Sequence, residues 1–130
     1  YPHEVPIVIK EFLRVLNDNG FVVLECPDLQ SVCNLILQDK LYDPMYESDA
    51  GPISPIDLLY GLRGALQDGN HYMAHKCGFT YSILLNFFIA AGFKKWIGGR
   101  KPELYNLYLI ACKGEKNDEE LNQLAAKFLP

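Results

Sequence analysis

Apolar residues recur at helical spacing near the start of the chain, where Pro6 precedes the sequence IVIKEFLRVL. Apolar side chains three and four positions apart form one face of a helix, and proline is well placed in a first helical turn. The polar stretch NDNG ends this helix, and we expect Gly20 in the left-handed conformation. The next residues, Phe21 to Cys26, are β-branched or aromatic and apolar until Glu25, which predicts a strand covered on both faces.

Further helices and two strands follow from the same kind of pattern. Residues that commonly cap helix N-termini begin three helical segments, which run from Asp28 to about Gln38, from Ser54 to about Leu62 and from Thr80 to Gly92. Two later runs, Phe93 to Ile97 and Leu104 to Cys112, predict an antiparallel hairpin with its turn at Gly98 to Pro102. The sequence ELNQLAAKFL then predicts a final amphipathic helix.

Residues 39–79 form an insert between the second helix and the Thr80 helix. Its two polar, Gly/Pro-containing stretches, 39–55 and 63–78, predict irregular structure around the short Ser54 helix. Long irregular segments in compact domains are uncommon and often serve as binding loops or lids.

The order of these elements indicates an α/β fold. We expect a partial doubly wound, Rossmann-like sheet of about three strands, because helices alternate with strands and one antiparallel pair comes last. The first strand would be central if such a sheet were complete. We assign residues 1–114 to this domain and residues 115–130 to a C-terminal helical tail.

The composition of the chain argues against nucleic acids and membranes as partners. A formal net charge of −4 and the absence of a basic cluster argue against nucleic-acid binding, and no apolar run approaches the ~20 residues of a membrane span. No signal peptide is visible, so we expect a cytoplasmic protein. The four cysteines form no C-x-x-C pair, which favours buried free thiols over a disulfide framework or a zinc site.

The chain resembles the C-terminal half of class I S-adenosylmethionine-dependent methyltransferases. The resemblance lies in the Asn17-Asp18-Asn19-Gly20 turn before FVVLECPD, the passage Ala90-Ala91-Gly92-Phe93, and the long strand Leu104 to Cys112. It implies that the three strands are the fifth, sixth and seventh of the family's sheet. The segment Tyr1-Pro2-His3-Glu4 resembles the stretch that follows the family's fourth strand, which implies that Tyr1 and His3 lie at the lip of the cofactor pocket. The alternative is that these residues are a frayed N-terminus.

One departure from the family matters for function. The family holds S-adenosylmethionine with a Gly-rich loop after its first strand, where small residues let backbone N–H groups approach the ligand. No such pattern occurs in this sequence. We therefore expect most of the cofactor site to lie in a missing N-terminal half, so that the chain alone is inactive.

Polar and aromatic residues cluster in the insert, where the family places substrate-specific elements. His71 and His75 are candidate catalytic bases, because a neutral imidazole is available near pH 7. Tyr60, Arg63, Asn70 and Tyr72 are the candidate substrate-binding residues. The alternative is that all six residues only make the hydrogen bonds of a lid. His71, His75 and Cys77 also suggest a metal, but a fourth ligand is absent, so we predict no metal site.

Two functions are compatible with these observations. The first is the substrate-side part of a methyltransferase, whose methyl acceptor is a small molecule, a sugar or a protein side chain. The second is a non-catalytic binding or assembly module. Because an unpaired strand edge is normally covered, we expect Phe21 to Cys26, or the helix Pro6 to Leu16, to be buried in a homo-oligomer or against the missing half.

Overall fold

The computed structural model describes residues 1–130 and contains six α-helices and five strands. The helices are α1 (Val5–Val15), α2 (Leu29–Ile36), α3 (Pro55–Tyr60), α4 (Arg63–Gln67), α5 (Tyr81–Ala91) and α6 (Asp118–Phe128). The strands are β1 (Phe21–Pro27), β2 (Tyr46–Ser48), β3 (Gly51–Ile53), β4 (Lys95–Lys101) and β5 (Asn106–Cys112). Short 3-10 helices cover His71–Met73 and Pro102–Leu104. None of the helices has the length and apolar character needed to cross a lipid bilayer.

The main sheet has three strands in the order β1-β5-β4. Strand β5 is antiparallel to both neighbours, so β1 and β4 run in the same direction on its two sides. The fold is therefore mixed α/β with a small antiparallel sheet, and the predicted hairpin of the last two strands is confirmed. The predicted turn at Gly98 is wrong, because β4 continues through Gly98 and Gly99 to Lys101 and the chain reverses at Pro102–Leu104.

Two apolar clusters hold the helices on opposite faces of this sheet. On one face, Ile9 of α1 and Phe88 of α5 pack against Leu107, Leu109 and other β5 side chains. On the other face, Leu121 of α6 packs against Ile110 and Cys112. The C-terminal helix thus contributes to the core, consistent with the amphipathic pattern of its sequence.

Strand β1 differs from the expectation of a strand covered on both faces. Val22, Leu24 and Cys26 pack against the α1–α5 side of the sheet. Val23, which points to the other face, is 44% exposed. The chain therefore does not bury all the apolar side chains of β1. The reason is that β1 lies at the edge of the sheet and α6 covers only part of the second face.

The insert is more regular than its sequence indicates. The stretch predicted as irregular at 39–55 contains the antiparallel pair β2–β3, and the stretch 63–78 contains α4 and a 3-10 helix. Elements of three to five residues are too short to show a hydrophobic period, which is why the pattern does not reveal them.

Two glycines illustrate different backbone demands. Gly92 ends α5 in the left-handed conformation with φ 110°, as predicted. Gly20 does not adopt positive φ, so the prediction for it is wrong. A Cβ at Gly20 would lie 2.9 Å from the Asn17 carbonyl oxygen, so glycine is needed there for close approach of the turn.

Candidate functional site

A cavity of about 500 Å³ lies at the carboxyl end of β1, and we call it the β1-end cavity. Its walls come from the end of β1, the start of α2, the end of α3, and the segment that precedes α5. Lining residues with polar or sulfur-containing side chains are Glu25, Cys26, Tyr60, His75, Lys76 and Cys77. Ligands of open α/β sheets bind outside the carboxyl ends of strands, and this volume suits a small organic molecule.

His75 is held in this cavity by two hydrogen bonds to α3. Its Nδ1 atom is 2.9 Å from the Leu58 carbonyl oxygen, and its backbone N–H donates to the Tyr60 carbonyl oxygen at 3.2 Å. A carbonyl oxygen only accepts, so Nδ1 carries the proton in the neutral ring and Nε2 carries the lone pair. The structure thus places a positioned proton acceptor in the wall of the cavity.

Tyr60 and Lys76 add two exposed polar groups to the same wall. Tyr60 ends α3, and its side chain is 63% exposed beside the cavity. The ammonium of Lys76 lies 5.9 Å from the centre of the Tyr1 ring, within reach of a cation–π interaction. Sequence reasoning did not select Lys76, because an exposed lysine carries no pattern of its own.

Glu25 lines the cavity near the end of β1, and its carboxylate lies on the same side of the sheet as the Tyr108 side chain. It accepts hydrogen bonds from Asn106 Nδ2 at 2.6 Å and from the Tyr108 hydroxyl at 3.2 Å. Burial raises the pKa of Tyr108, and the Glu25 carboxylate adds to the rise although Asn106 opposes it. Burial likewise raises the pKa of the neighbouring Tyr46, with the charges of Asp57 and Glu25 contributing. Both phenols therefore stay protonated, and the Tyr108 hydroxyl donates to Glu25.

Two cysteines line the cavity next to each other. Burial raises the pKa of Cys26 to about 12, and the charges of Asp28, Cys77 and Glu25 push in the same direction. All four cysteines are free, as expected, but the expectation that they are buried holds only for Cys112, since Cys26 and Cys77 are half-buried and Cys33 is exposed on α2.

Arg63 does not line the β1-end cavity. Arg63 donates through Nε and Nη2 to the buried carboxylate of Asp57 at 2.8 and 3.0 Å, and its guanidinium lies 5.1 Å from the centre of the Tyr42 ring. These contacts occupy the guanidinium in holding α3 to α4. Desolvation would raise the pKa of Asp57, but the hydrogen bonds from Arg63 and Ser54 outweigh it, and the pKa is lowered.

Asn70, His71 and Tyr72 also do not line the β1-end cavity. They lie at the 3-10 helix after α4, where His71 is exposed and Tyr72 is completely exposed. Of the predicted catalytic and substrate-binding residues, the structure therefore brings only His75 and Tyr60 together around one cavity.

Tyr1 and His3 lie beside a second cavity. Their rings stack with centres 6.0 Å apart, and Tyr1 lines an apolar groove of about 520 Å³ that we call the α1 groove. Its other walls include side chains of α1 and β1 and the side chains of Cys77 and Phe79, which also line the β1-end cavity. Ten of its eleven lining residues are hydrophobic, so it offers few groups that could orient a polar ligand.

Asp28 follows β1 directly but does not face either cavity. It caps α2 by accepting from Gln30 N–H at 3.0 Å, as its position predicted, and it is completely buried. Ser31 Oγ and Arg100 Nε each donate to its carboxylate at 2.7 Å. Desolvation would raise the pKa of Asp28, but these hydrogen bonds and the Arg100 charge lower it.

The turn after β1 can be compared with the Gly-rich loop that would bind S-adenosylmethionine. The turn from β1 to α2 consists of Pro27, which ends β1, and the buried Asp28, and it has no glycine. Proline has no N–H to offer, and the Asp28 carboxylate is engaged by Arg100. This turn therefore does not form a Gly-rich cradle for a cofactor. No group of three His, Cys, Asp or Glu side chains is placed to hold a metal ion.

No protein-family model, no curated protein and no solved structure matches the chain.

Proposed function

We propose that this chain is the C-terminal, substrate-side part of an S-adenosylmethionine-dependent methyltransferase domain, and that it is inactive alone. The observation that carries the proposal is the direction of the three strands. β1 and β4 are parallel to each other, and only the last strand, β5, is reversed. A single reversed strand in an otherwise parallel sheet is what the end of a doubly wound domain would leave if its other strands were absent.

The hydrogen-bonding directions of β1 support a missing neighbour. Lys113 N–H donates to the Gly20 carbonyl and Asp28 N–H donates to the Tyr105 carbonyl, and both bonds point toward β5. Bonded pairs alternate in an antiparallel ladder, so the backbone groups of Phe21, Val23 and Glu25 point to the opposite, free edge. Pro27 lies on that side too, where its missing N–H disturbs no bond to β5, and there Phe79 forms a bridge with Asp28 at the end of the strand.

The apolar surface beside this edge supports the same conclusion. Ile7 and Val8 of α1 are 63% and 46% exposed, and both line the α1 groove together with Leu24 of β1. A strand added to the edge of β1 would place alternate side chains over this groove. We expect the missing half of the sheet to cover both the edge and the groove.

The chain's own contribution to the reaction would be made in the β1-end cavity. The apolar part of its wall would bind the acceptor and exclude water, and His75 Nε2 would accept the proton that a hydroxyl acceptor must lose. S-adenosylmethionine would supply the methyl group from a site in the missing half. A small hydroxylated molecule, including a sugar, fits this volume, and a protein side chain presented by its backbone is an alternative.

The first experiment measures whether the 130-residue chain binds S-adenosylmethionine without the proposed N-terminal half. Isothermal titration of the 130-residue chain with S-adenosylmethionine should detect no binding at submillimolar concentration, because the cradle is absent. The coding sequence before the Tyr1 codon should encode a Gly-rich strand-turn-helix within about a hundred residues, the usual scale of a domain. The chain extended by that sequence should bind the cofactor. Submillimolar binding by the short chain, or an upstream sequence without such a unit, would contradict the proposal.

The second experiment tests the free edge. In the extended chain, Val23→Pro removes an N–H that points away from β5, while the matched Val23→Thr keeps it. The proline variant should lose cofactor binding or cooperative unfolding of the two halves, and the threonine variant should behave like the parent. In the short chain both variants should keep the fold, since the bonds from β1 to β5 are preserved. Equal behaviour of the two variants in the extended chain would argue against strand pairing at this edge.

A non-catalytic assembly module is the second candidate, and the same free edge favours it. It predicts that the short chain forms a homo-oligomer through β1 or α1. Sedimentation velocity of the short chain distinguishes the candidates: a stable dimer in which Phe21, Val23 and Glu25 amides are protected supports the module, whereas a monomer with exchanging amides supports the missing half.

A further inference from the structure

The segment Cys77 to Phe79 runs alongside the end of β1. Asp28 and Phe79 form an isolated parallel bridge, and Leu29 N–H donates to the Phe79 carbonyl oxygen at 3.1 Å. Parallel segments advance in step, so Cys26 and Cys77, each two residues earlier, are opposite each other. Neighbouring strands lie about 4.8 Å apart, and a disulfide joins Cα atoms roughly 4.4–6.8 Å apart. The register of this bridge is therefore compatible with a disulfide between the two cysteines.

Two further observations are consistent with this register. Both cysteines line the β1-end cavity, and a charge on Cys77 acts on the thiol of Cys26. Both are half-buried, so a small oxidant can reach them through the cavity. The other two cysteines do not share this position, because Cys112 is completely buried in β5 and Cys33 is exposed on α2.

We propose that Cys26 and Cys77 form a reversible disulfide with each other, by exchange with low-molecular-weight disulfides such as oxidised glutathione. One thiolate attacks a glutathione sulfur and releases the first glutathione thiol, which leaves a mixed disulfide. The second thiol then loses its proton and displaces the second glutathione. The two cysteines are together oxidised by two electrons, and one glutathione disulfide is reduced to two thiols.

The environments of the two cysteines set the order of these steps. The thiolate is the attacking form, and Cys26 is almost entirely protonated at neutral pH because burial raises its pKa to about 12. Cys77 therefore attacks first and Cys26 resolves the mixed disulfide slowly. The closing step should accelerate about tenfold for each pH unit between 7 and 9, since the thiolate fraction of Cys26 rises by that factor well below its pKa.

The disulfide would change the connection between the two cavities. Cys77 lines both the β1-end cavity and the α1 groove, and it lies two residues after His75. A bond to Cys26 would hold the segment Cys77 to Phe79 against β1. This inference does not depend on the proposed methyltransferase reaction, because it needs only the fold of the chain.

The test uses the full chain with Cys33→Ser, which removes the exposed thiol that would otherwise take up glutathione. After incubation with excess oxidised glutathione, intact-mass spectrometry should show the loss of two hydrogen atoms and no retained glutathione. Non-reducing peptide mapping should recover a linked Cys26–Cys77 peptide, and dithiothreitol should reverse it. Hydrogen exchange of the Leu29 amide, which donates to Phe79, should slow on oxidation.

Two matched variants and one denatured control sharpen the result. Adding Cys26→Ala should leave a stable glutathione adduct on Cys77, and adding Cys77→Ala should abolish closure with little adduct at Cys26. When the chain is unfolded in urea, Cys26 and Cys77 should no longer pair in preference to the other cysteine pairs. Recovery of two separate glutathione adducts from the folded parent, or of a link from either cysteine to Cys112, would overturn the proposal. The mapping on the parent decides this even if a variant fails to fold.

Discussion

Arg100 in β4 donates through Nε to the completely buried carboxylate of Asp28 at 2.7 Å, and this ion pair joins positions 72 residues apart. Asp28 is also the N-cap of α2, so the pair ties the end of the β4–β5 hairpin to the helix that follows β1. The ion pair holds one wall of the β1-end cavity in place, although neither Asp28 nor Arg100 lines the cavity.

Replacing Arg100 should destabilise the chain more than replacing an exposed partner of an ion pair. Arg100→Gln leaves the Asp28 carboxylate buried without its cation. Breaking a buried pair in this way costs about 3–5 kcal/mol, and the partial exposure of the Arg100 side chain reduces our expectation to about 2–3 kcal/mol. Urea denaturation measures the change in the free energy of unfolding.

The matched control for this prediction is Arg14→Gln. Arg14 also donates to a carboxylate at 2.8 Å, but both side chains of that pair are more than half exposed. It should change the free energy of unfolding by less than about 0.5 kcal/mol, as exposed pairs generally do. Equal effects of the two substitutions would contradict a buried anchoring role for Asp28.

Acid should destabilise the fold through Asp28 and Asp57. The pKa of each carboxyl is lowered in the folded state, so each contributes stability that is complete above the unfolded pKa of about 3.9 and is lost as pH falls through the folded value. The free energy of unfolding should therefore decline from about pH 5 downward. Asp28→Asn and Asp57→Asn should each lower stability at neutral pH and flatten this decline. Urea denaturation at several pH values tests both effects, and an unchanged slope would count against the lowered pKa values.

Two adjacent glycines in β4 should respond differently to the same substitution. A Cβ at Gly98 would overlap the Tyr108 carbonyl oxygen of β5, whereas a Cβ at Gly99 meets no atom within 4 Å. Gly98→Ala should cost about 2–3 kcal/mol, because the backbones of β4 and β5 would have to separate. Gly99→Ala should be neutral or slightly stabilising, since it restricts the unfolded chain. Thermal and urea unfolding of the two variants provide the comparison, and similar losses would indicate that the local twist, not the contact, requires glycine.

The elements that the sequence predicts correctly are those whose apolar pattern or end signals lie within the element itself. α1, α5 and β5 have full apolar faces, and Asp28 and Gly92 mark helix ends by their own chemistry. The antiparallel pairing of β4 with β5 followed from their adjacency. The short strands of the insert carried too few residues for a period, so they were missed.

Relationships between distant residues could not be read from the sequence in the same way. The partner of Asp28 lies 72 residues away, and only the register of β4 brings Arg100 to it. Arg63 is a candidate for substrate binding because it lies in the polar and aromatic cluster of the insert, but Asp57 engages its guanidinium. Cys26 and Cys77 share a cavity because the chain returns to β1 at the end of the insert. The exposure of Val23 depends on a neighbouring strand that no pattern within β1 describes.

The hydrogen bond of His75 leads to a spectroscopic prediction. Its Nδ1 atom faces the Leu58 carbonyl oxygen at 2.9 Å, so the neutral ring should carry its proton on Nδ1 and leave Nε2 as the acceptor in the β1-end cavity. Long-range 1H–15N correlation spectra distinguish the two tautomers by their nitrogen shifts. His75→Gln assigns the signal and keeps a donor for Leu58, and His71→Gln is the matched control at an exposed position of the same segment. A His75 ring protonated on Nε2 would leave no base at the site where the proposed reaction requires one, and would assign His75 to a structural role.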